Sequence, residues 1–272
     1  MTRLGFLILF AISAAACGDK TPAPSPTAPA PTITPTSLSI AGSETLRTGQ
    51  AQTYTATVNM SNGTSQAASP TWTSDNQSVL TITSSGAANA VAQGTATLSA
   101  VAQGVNATRL VSVWQDYQGT WTGSYRVRVC TEQGNFVGLL CRDTFRVGTS
   151  LPLIVTLTQN GPSASGTAQL GNLVNSLSGG IFASRRFVGG GSGTFSSDGL
   201  TLNSRVGTFD ALSSASGLAG TIIITLTVDG FVGNTYLEAD LSGVTRTSTL
   251  AQPGRTPNYR SLQELFGGFR GE

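Results

Sequence analysis

The sequence has no histidine, and among its 272 residues Lys20 is the only lysine. Histidine is the commonest general base near neutral pH and the commonest zinc ligand in proteins. Without it, no serine–histidine or cysteine–histidine nucleophile pair can form. Glu238 and Asp240 are two residues apart on a predicted strand, so their carboxylates point the same way, whereas glycoside hydrolysis needs a facing pair. We therefore expect no catalytic residues, no metal site and no cofactor.

Charge is also scarce, since Asp, Glu, Lys and Arg make up 10% of the chain and the net charge is +2. This lacks the clustered positive charge by which proteins bind nucleic acid, so we expect no nucleic-acid partner. Beyond the first 17 residues, no apolar run is long enough to cross a membrane as a helix. What the chain does contain is Thr, Ser, Gly, Ala and Val in abundance, a composition typical of short strands and tight turns. The expected fold class is all-β.

The N-terminus has the anatomy of an export signal. Arg3 supplies a positive charge, Leu4 to Ala16 is an unbroken apolar run, and small residues lead directly into Cys17. Residues 1–16 resemble a bacterial lipoprotein signal peptide, which implies lipidation of Cys17 and a membrane partner reached through the lipid. Gly18 rather than Asp follows the cysteine, so the resemblance implies an outer-membrane or cell-surface location. The alternative is ordinary secretory cleavage after Ala16, which would leave Cys17 as a free thiol.

Residues 17–36 are predicted to connect this anchor to the first domain. They contain six of the eleven prolines of the chain. Proline favours the extended polyproline conformation, at ~3.1 Å per residue, so residues 20–36, which hold these prolines, would reach about 50 Å from the lipid. We interpret it as a semi-rigid tether.

Residues 37–114 alternate between apolar and polar side chains, which predicts antiparallel strands with one buried face. The predicted buried residues are Leu38, Ile40, Tyr54, Ala56, Val58, Leu80, Ile82, Ala96, Leu98 and Ala100. Asn62-Gly63 is a hairpin signal because both residues tolerate positive φ. Several short strands in about 75 residues are typical of a β-sandwich.

Four stretches of this segment resemble the bacterial Ig-like domain of group 2, in the same order. They are Thr53–Val58, the tryptophan motif Thr71–Val79, the Gly-Thr-Ala strand Gly94–Ala100, and Leu110–Val113. The resemblance implies that Trp72 is a central core residue and that the module is a spacer or adhesive unit without chemistry of its own.

Residues 117–250 read as repeated strands joined by Asx-Gly turns, with no helical stretch. The turns are predicted at Asn160-Gly161, Asp198-Gly199 and Asp229-Gly230, and about eight strands would allow an up-and-down barrel to close and remove its edges. The run Gly189–Gly193 is predicted to be a flexible hairpin connection. In the remaining residues 251–272, a capping box at Ser261 and an apolar stripe predict a short helix that packs on the barrel or docks on a partner.

The Gly119-Thr120-Trp121 opening and the late Arg246 resemble the lipocalin arrangement. In that family the tryptophan plugs one end of an eight-stranded barrel and packs against the arginine. The resemblance implies that Trp121 and Arg246 form a pair at the barrel end.

Cys130 and Cys141 are predicted to form a disulfide, because both lie in the exported part of the chain. Their strand parity does not match, so a bulge or bridging within a loop is required. The same hairpin carries Arg126, Arg128, Arg142 and Arg146. These arginines form a candidate site for an anionic sugar or lipid headgroup, and the alternative is an ordinary solvated face.

Together these features predict a non-catalytic, lipid-anchored surface protein with a role in adhesion, display or envelope interaction. Its partner would be an unidentified surface or envelope component, either glycan or protein. The alternative is a lipocalin-like carrier of a small apolar ligand, held off the membrane by the Ig-like spacer. The two hypotheses differ in the barrel interior, which must be open for a carrier and can be filled for an adhesin.

Overall fold

The computed structural model describes residues 31–197 and 199–247, and every regular element in that part of the chain is a strand. The predicted signal peptide, the lipidation site Cys17, most of the 17–36 tether and the 251–272 helix lie outside the described residues. Within them, no helix is long and apolar enough to span a membrane.

The first ten strands form the sandwich. They are β1 (Pro35–Ala41), β2 (Thr45–Arg47), β3 (Ala51–Thr53), β4 (Thr55–Met60), β5 (Ser65–Ala68), β6 (Thr71–Ser74), β7 (Leu80–Ile82), β8 (Ala87–Ala90), β9 (Gly94–Ala102) and β10 (Val105–Trp114). One sheet has the order β1-β4-β5, a second β2-β10-β9-β6, and a small third β3-β8-β7. All pairs are antiparallel except β2 with β10.

The alternating pattern of the sandwich packs into one apolar core. Leu98, Ala100 and Val58 are fully buried, and Trp72 lies in the same core with 8% of its surface exposed. Ile40 and Ile82, at the margin, are only partly buried. The predicted buried face is therefore confirmed, with Trp72 as a core residue.

The remaining eight strands form the barrel. They are β11 (Gly119–Gly134), β12 (Ser150–Asn160), β13 (Ser163–Leu170), β14 (Leu173–Ile181), β15 (Arg186–Ser197), β16 (Leu200–Ser214), β17 (Gly217–Val228) and β18 (Gly233–Thr247). Each strand pairs with the next, and β18 returns to pair with β11, from Thr120↔Thr247 to Gly134↔Gly233. This confirms the all-β prediction of a sandwich followed by a closed up-and-down barrel.

The glycine run was predicted wrongly as a hairpin connection. Gly189–Gly193 lies inside strand β15, paired with both β14 and β16. A β-carbon on Gly191 or Gly193 would collide with backbone carbonyl oxygens of β14. Glycine here lets two strands approach closely where the wall of the barrel bends, which is a known use of glycine within strands.

The interior of the barrel is filled by its own side chains. Leu153, Val155, Ile222, Ile224 and Leu226 are each at most 1% exposed, and they belong to one continuous cluster of buried residues. A ligand-sized cavity beside these side chains would leave them accessible to a water-sized probe. The outward side chains of the neighbouring strand β13 are Ser163, Ser165, Thr167 and Gln169, which water hydrates.

Candidate functional site

One end of the barrel is closed by the pair predicted from the Gly-Thr-Trp opening. Trp121 lies opposite Arg246 in the β11–β18 ladder and is 2% exposed. The guanidinium carbon of Arg246 is 4.4 Å from the centre of the Trp121 ring, a cation–π contact. The indole Nε1 donates a hydrogen bond of 3.0 Å to the carbonyl of Tyr117.

Tyr117 completes this closure, and sequence reasoning missed it. Its hydroxyl lies 2.7 Å from the carbonyl oxygen of Arg185 and 2.8 Å from that of Ala211. It also accepts hydrogen bonds from the backbone N–H of Phe187 at 3.2 Å and of Ser213 at 3.0 Å. Burial raises the pKa of the Tyr117 hydroxyl, although the two N–H donors oppose part of that rise. The phenol thus ties three separate segments together at the end of the barrel that faces the sandwich.

The junction between sandwich and barrel is held by Asp116. Its carboxylate contacts Arg246 of the barrel at 2.7 Å and Arg47 of the sandwich at 3.4 Å. Its backbone N–H donates to the hydroxyl of Thr48 at 3.0 Å. One carboxylate therefore contacts charged groups of both domains.

Two glutamines reinforce the junction. The backbone N–H of Gln115 donates to Gln93 Oε1 at 3.1 Å. Gln93 Nε2 donates to the carbonyl of Phe182 at 2.8 Å, and Gln115 Nε2 to that of Ser213 at 3.4 Å. Sandwich, linker and barrel therefore share hydrogen bonds on more than one side of the connection.

The opposite end of the barrel is covered by the loop 135–149, here called the cap. The predicted Cys130–Cys141 disulfide is present, with a Cα–Cα distance of 5.6 Å, and joins β11 to the cap. A register shift between Val127 and Val129 and the loop position of Cys141 together resolve the mismatch in parity. The buried aromatic rings of Phe136 and Phe145 extend the apolar core into the cap.

Glu132 organises the cap from below. Its carboxylate accepts backbone hydrogen bonds from Gly138 at 2.7 Å, from Cys141 at 2.9 Å and from Leu140. Hydrogen bonds to a carboxylate are stronger than those between neutral groups. Glu132 therefore accepts hydrogen bonds from backbone N–H groups of the cap, as a capping residue does at a helix N-terminus.

The four arginines of the candidate anion site are not equivalent. Arg128 pairs with Glu238 at 2.8 Å and with Asp240 at 3.5 Å, and Arg142 pairs with its neighbour Asp143 at 3.3 Å. Within residues 31–197 and 199–247, neither Arg126 nor Arg146 has an ion pair, and both are exposed. Half of the predicted patch is thus neutralised by acids of the barrel itself.

Glu238 and Asp240 take part in that network and are poorly suited to act as bases. The Tyr236 hydroxyl donates to Glu238 at 2.8 Å, and this bond together with the Arg128 bond lowers the pKa of the carboxyl. Among the described residues, no group of three or more Cys, Asp or Glu is placed to hold a metal ion.

The barrel interior also contains three polar side chains, Asn175, Ser204 and Thr235. Each is at most 2% exposed, and Asn175 Oδ1, Ser204 Oγ and Thr235 Oγ1 have no hydrogen-bond partner among the described residues. Ser204 and Thr235 flank Leu226 in the ladder, and Thr235 lies opposite Glu132 below the cap. We call these three residues the polar row.

Comparison with known protein families assigns the sandwich to one of them. Residues 30–112 match the family model of the bacterial Ig-like domain (group 2). The match confirms the resemblance carried by the tryptophan and Gly-Thr-Ala motifs, and the sandwich is hereafter the Ig-like domain. The search of curated proteins found no match to the chain.

Among solved structures, the chain is similar to domains 5–6 of the S-layer protein SbsC, with 12% identity, a TM-score of 0.29, and coverage of 80% of this chain and 100% of that one. It is also similar to domains 4–9 of the surface layer protein SbsC, with 13% identity, a TM-score of 0.30, and coverage of 76% and 31%. These TM-scores are too low to support an argument about the barrel, whose assignment depends on its strand order alone.

Proposed function

We propose that the protein is a non-catalytic cell-surface protein, anchored through a lipid on Cys17, with a role in adhesion, display or envelope interaction. In this proposal the tether and the Ig-like domain carry the barrel away from the membrane. Ig-like modules suit such a role, since they supply length and rigidity without chemistry.

The observation that carries the proposal is the way the two domains are joined. Asp116 links Arg47 to Arg246, and Tyr117 and Trp121 close the barrel directly behind this link. A barrel that is closed at the junction, capped at the far end and filled in between offers its outer surface to a partner.

The carrier alternative needs an open, apolar interior. The described interior is occupied by Val155, Ile222, Ile224 and their neighbours, and the polar groups it buries do not suit an apolar ligand. We therefore do not propose a carrier.

The test is expression of the full chain and of Cys17→Ser in the same host, with metabolic labelling by an alkyne fatty acid. The proposal expects label and membrane association only with Cys17, and digestion of the barrel by protease added to intact cells. Label on neither protein would refute the anchor. Protection of the barrel in intact cells but not in lysed cells would refute the surface role.

A further inference from the structure

A groove of about 910 Å³ crosses the outer face of strands β15, β16 and β17. It is lined mainly by glycines of β15 and β16 and by Ser, Thr, Asn and Arg residues of the three strands. It faces away from the filled interior, because Arg205, Ser192 and Thr194 are exposed while the alternating Ser204 and Val206 are buried.

The floor of the groove lacks side chains where strands β15 and β16 are irregular. Gly190 lies at the register shift between Gly189 and Gly191, and Gly207 at the shift between Val206 and Thr208. Such bulges bend the strands. A β-carbon at Gly207 would approach only the carbonyl oxygen of Ile223, at 4.0 Å, so the space above this glycine is open.

Six polar side chains above this floor form a regular array. Ser192, Arg205 and Thr225 lie opposite one another on the three strands, and Thr194, Asn203 and Thr227 form the second rung. Neighbours in a rung are about 4.8 Å apart and the rungs are about 7 Å apart, from standard strand geometry. Hydroxyl and amide groups both donate and accept hydrogen bonds, so the array suits a ligand rich in hydroxyl groups.

Arg205 adds a positive charge in the middle of the array. No described residue forms an ion pair with it, and an acid farther along β16 and one just after β17 have other partners. Asp210 pairs with Arg186 at 2.6 Å, and Asp229 accepts a hydrogen bond from Asn203 at 2.6 Å. A guanidinium group that is free and exposed among hydroxyl groups is suited to bind a carboxylate in bidentate geometry.

We propose that this groove binds an acidic polysaccharide, with Arg205 on a sugar carboxylate and the two rungs on ring hydroxyls. The inference rests on the proposed surface role and gives its partner a chemical class. Of the described residues that line the groove, none is aromatic and the one large aliphatic residue, Val206, has its side chain buried in the barrel, which argues against a lipid chain. A single arginine is too little charge for a nucleic-acid backbone.

The test measures binding of the mature full-length protein to polygalacturonate, with fully methyl-esterified polygalacturonate as the matched neutral polymer. We expect binding of the acid form that weakens with salt, and little binding of the ester. Arg205→Gln should weaken binding about tenfold to a hundredfold, the usual effect of losing a charge-assisted pair. Gly207→Leu should block the groove, and its side chain enters open space, so the fold should be kept.

Arg185→Gln is the matched control, since this arginine is exposed on the junction side of the barrel and its side chain forms no ion pair in the described residues. Equal binding of the acid and ester forms, or of neither, would overturn the proposal. So would loss of binding in Arg126→Gln with Arg205→Gln unaffected, because that result places the site on the arginine patch. The proposed surface role fails separately, through protease protection in intact cells, and does not depend on this binding assay.

Discussion

Replacing Thr235 by valine should stabilise the protein, although the residue is fully buried in the barrel. The threonine hydroxyl is removed from water and has no hydrogen-bond partner among the described residues. Valine has the same branched shape, so it fills the same space and replaces the hydroxyl by a methyl group. It is also well suited to a strand.

The size of the effect follows from the environment of Oγ1. Burial of a hydroxyl group without a partner costs about 1–3 kcal/mol, and valine removes that cost without opening a cavity. We expect a gain of about 1–2 kcal/mol in the free energy of unfolding, because part of the cost is relieved by small shifts of the neighbours. Urea unfolding followed by tryptophan fluorescence measures this gain as a higher midpoint at an unchanged m-value.

Thr225→Val is the matched control, because Thr225 is on the adjacent strand with its side chain outward. That substitution should change stability by less than about 0.5 kcal/mol, as is usual at surface positions. A clear loss of stability in Thr235→Val alone would refute the reasoning. It would mean that the hydroxyl has an interior partner, such as bound water or a polar ligand, and that the barrel is not simply filled.

Three further predictions concern the ends of the barrel and the buried tyrosines. Tyr117→Phe should lower the unfolding free energy by about 2–4 kcal/mol, because two buried N–H groups and a carbonyl lose their shared partner; equal urea midpoints would contradict this. The double variant Cys130→Ser/Cys141→Ser should lose about 3 kcal/mol, the chain-entropy value for so short a loop, and reductant should then destabilise the wild type but not the variant. Burial raises the pKa of Tyr54 and of Tyr117, so their contribution to stability is complete below the unfolded pKa and is lost as pH rises through the folded pKa. Urea midpoints should therefore fall above about pH 10, and a smaller fall in Tyr117→Phe would identify the group.

Much of the fold could be predicted from local patterns in the sequence. Period-2 alternation and Asx-Gly turns predict strands one at a time, and Gly63, Gly161 and Gly230 do adopt positive φ at the predicted turns. The prediction for the Gly189–Gly193 run was wrong because glycine has two structural uses that look alike in the sequence. It marks a turn when the backbone needs positive φ, and it marks a close approach of strands when a neighbouring chain leaves no room for a side chain.

The site residues were harder to predict because their roles depend on register. Trp121 and Arg246 were found through a family resemblance, whereas Tyr117 and Asp116 occupy an irregular linker without periodicity. The six polar residues of the array in the groove lie on three strands and become neighbours only when those strands pair in one register. In the sequence, Arg205 is simply an exposed arginine on a polar face.

The closure of the barrel has a consequence for how the protein folds. Strand β11 pairs with β18, and the hydrogen bond from Thr247 to Thr120 joins residues 127 positions apart. Contacts of such long range form late and slowly during folding. Until β18 arrives, the chain presents two open strand edges, which attract other unpaired strands. A newly made chain therefore stays vulnerable until β18 is in place, and a chain shortened before β18 is left incomplete and exposed to proteolysis. Only a chain that is complete through β18 can therefore close the barrel.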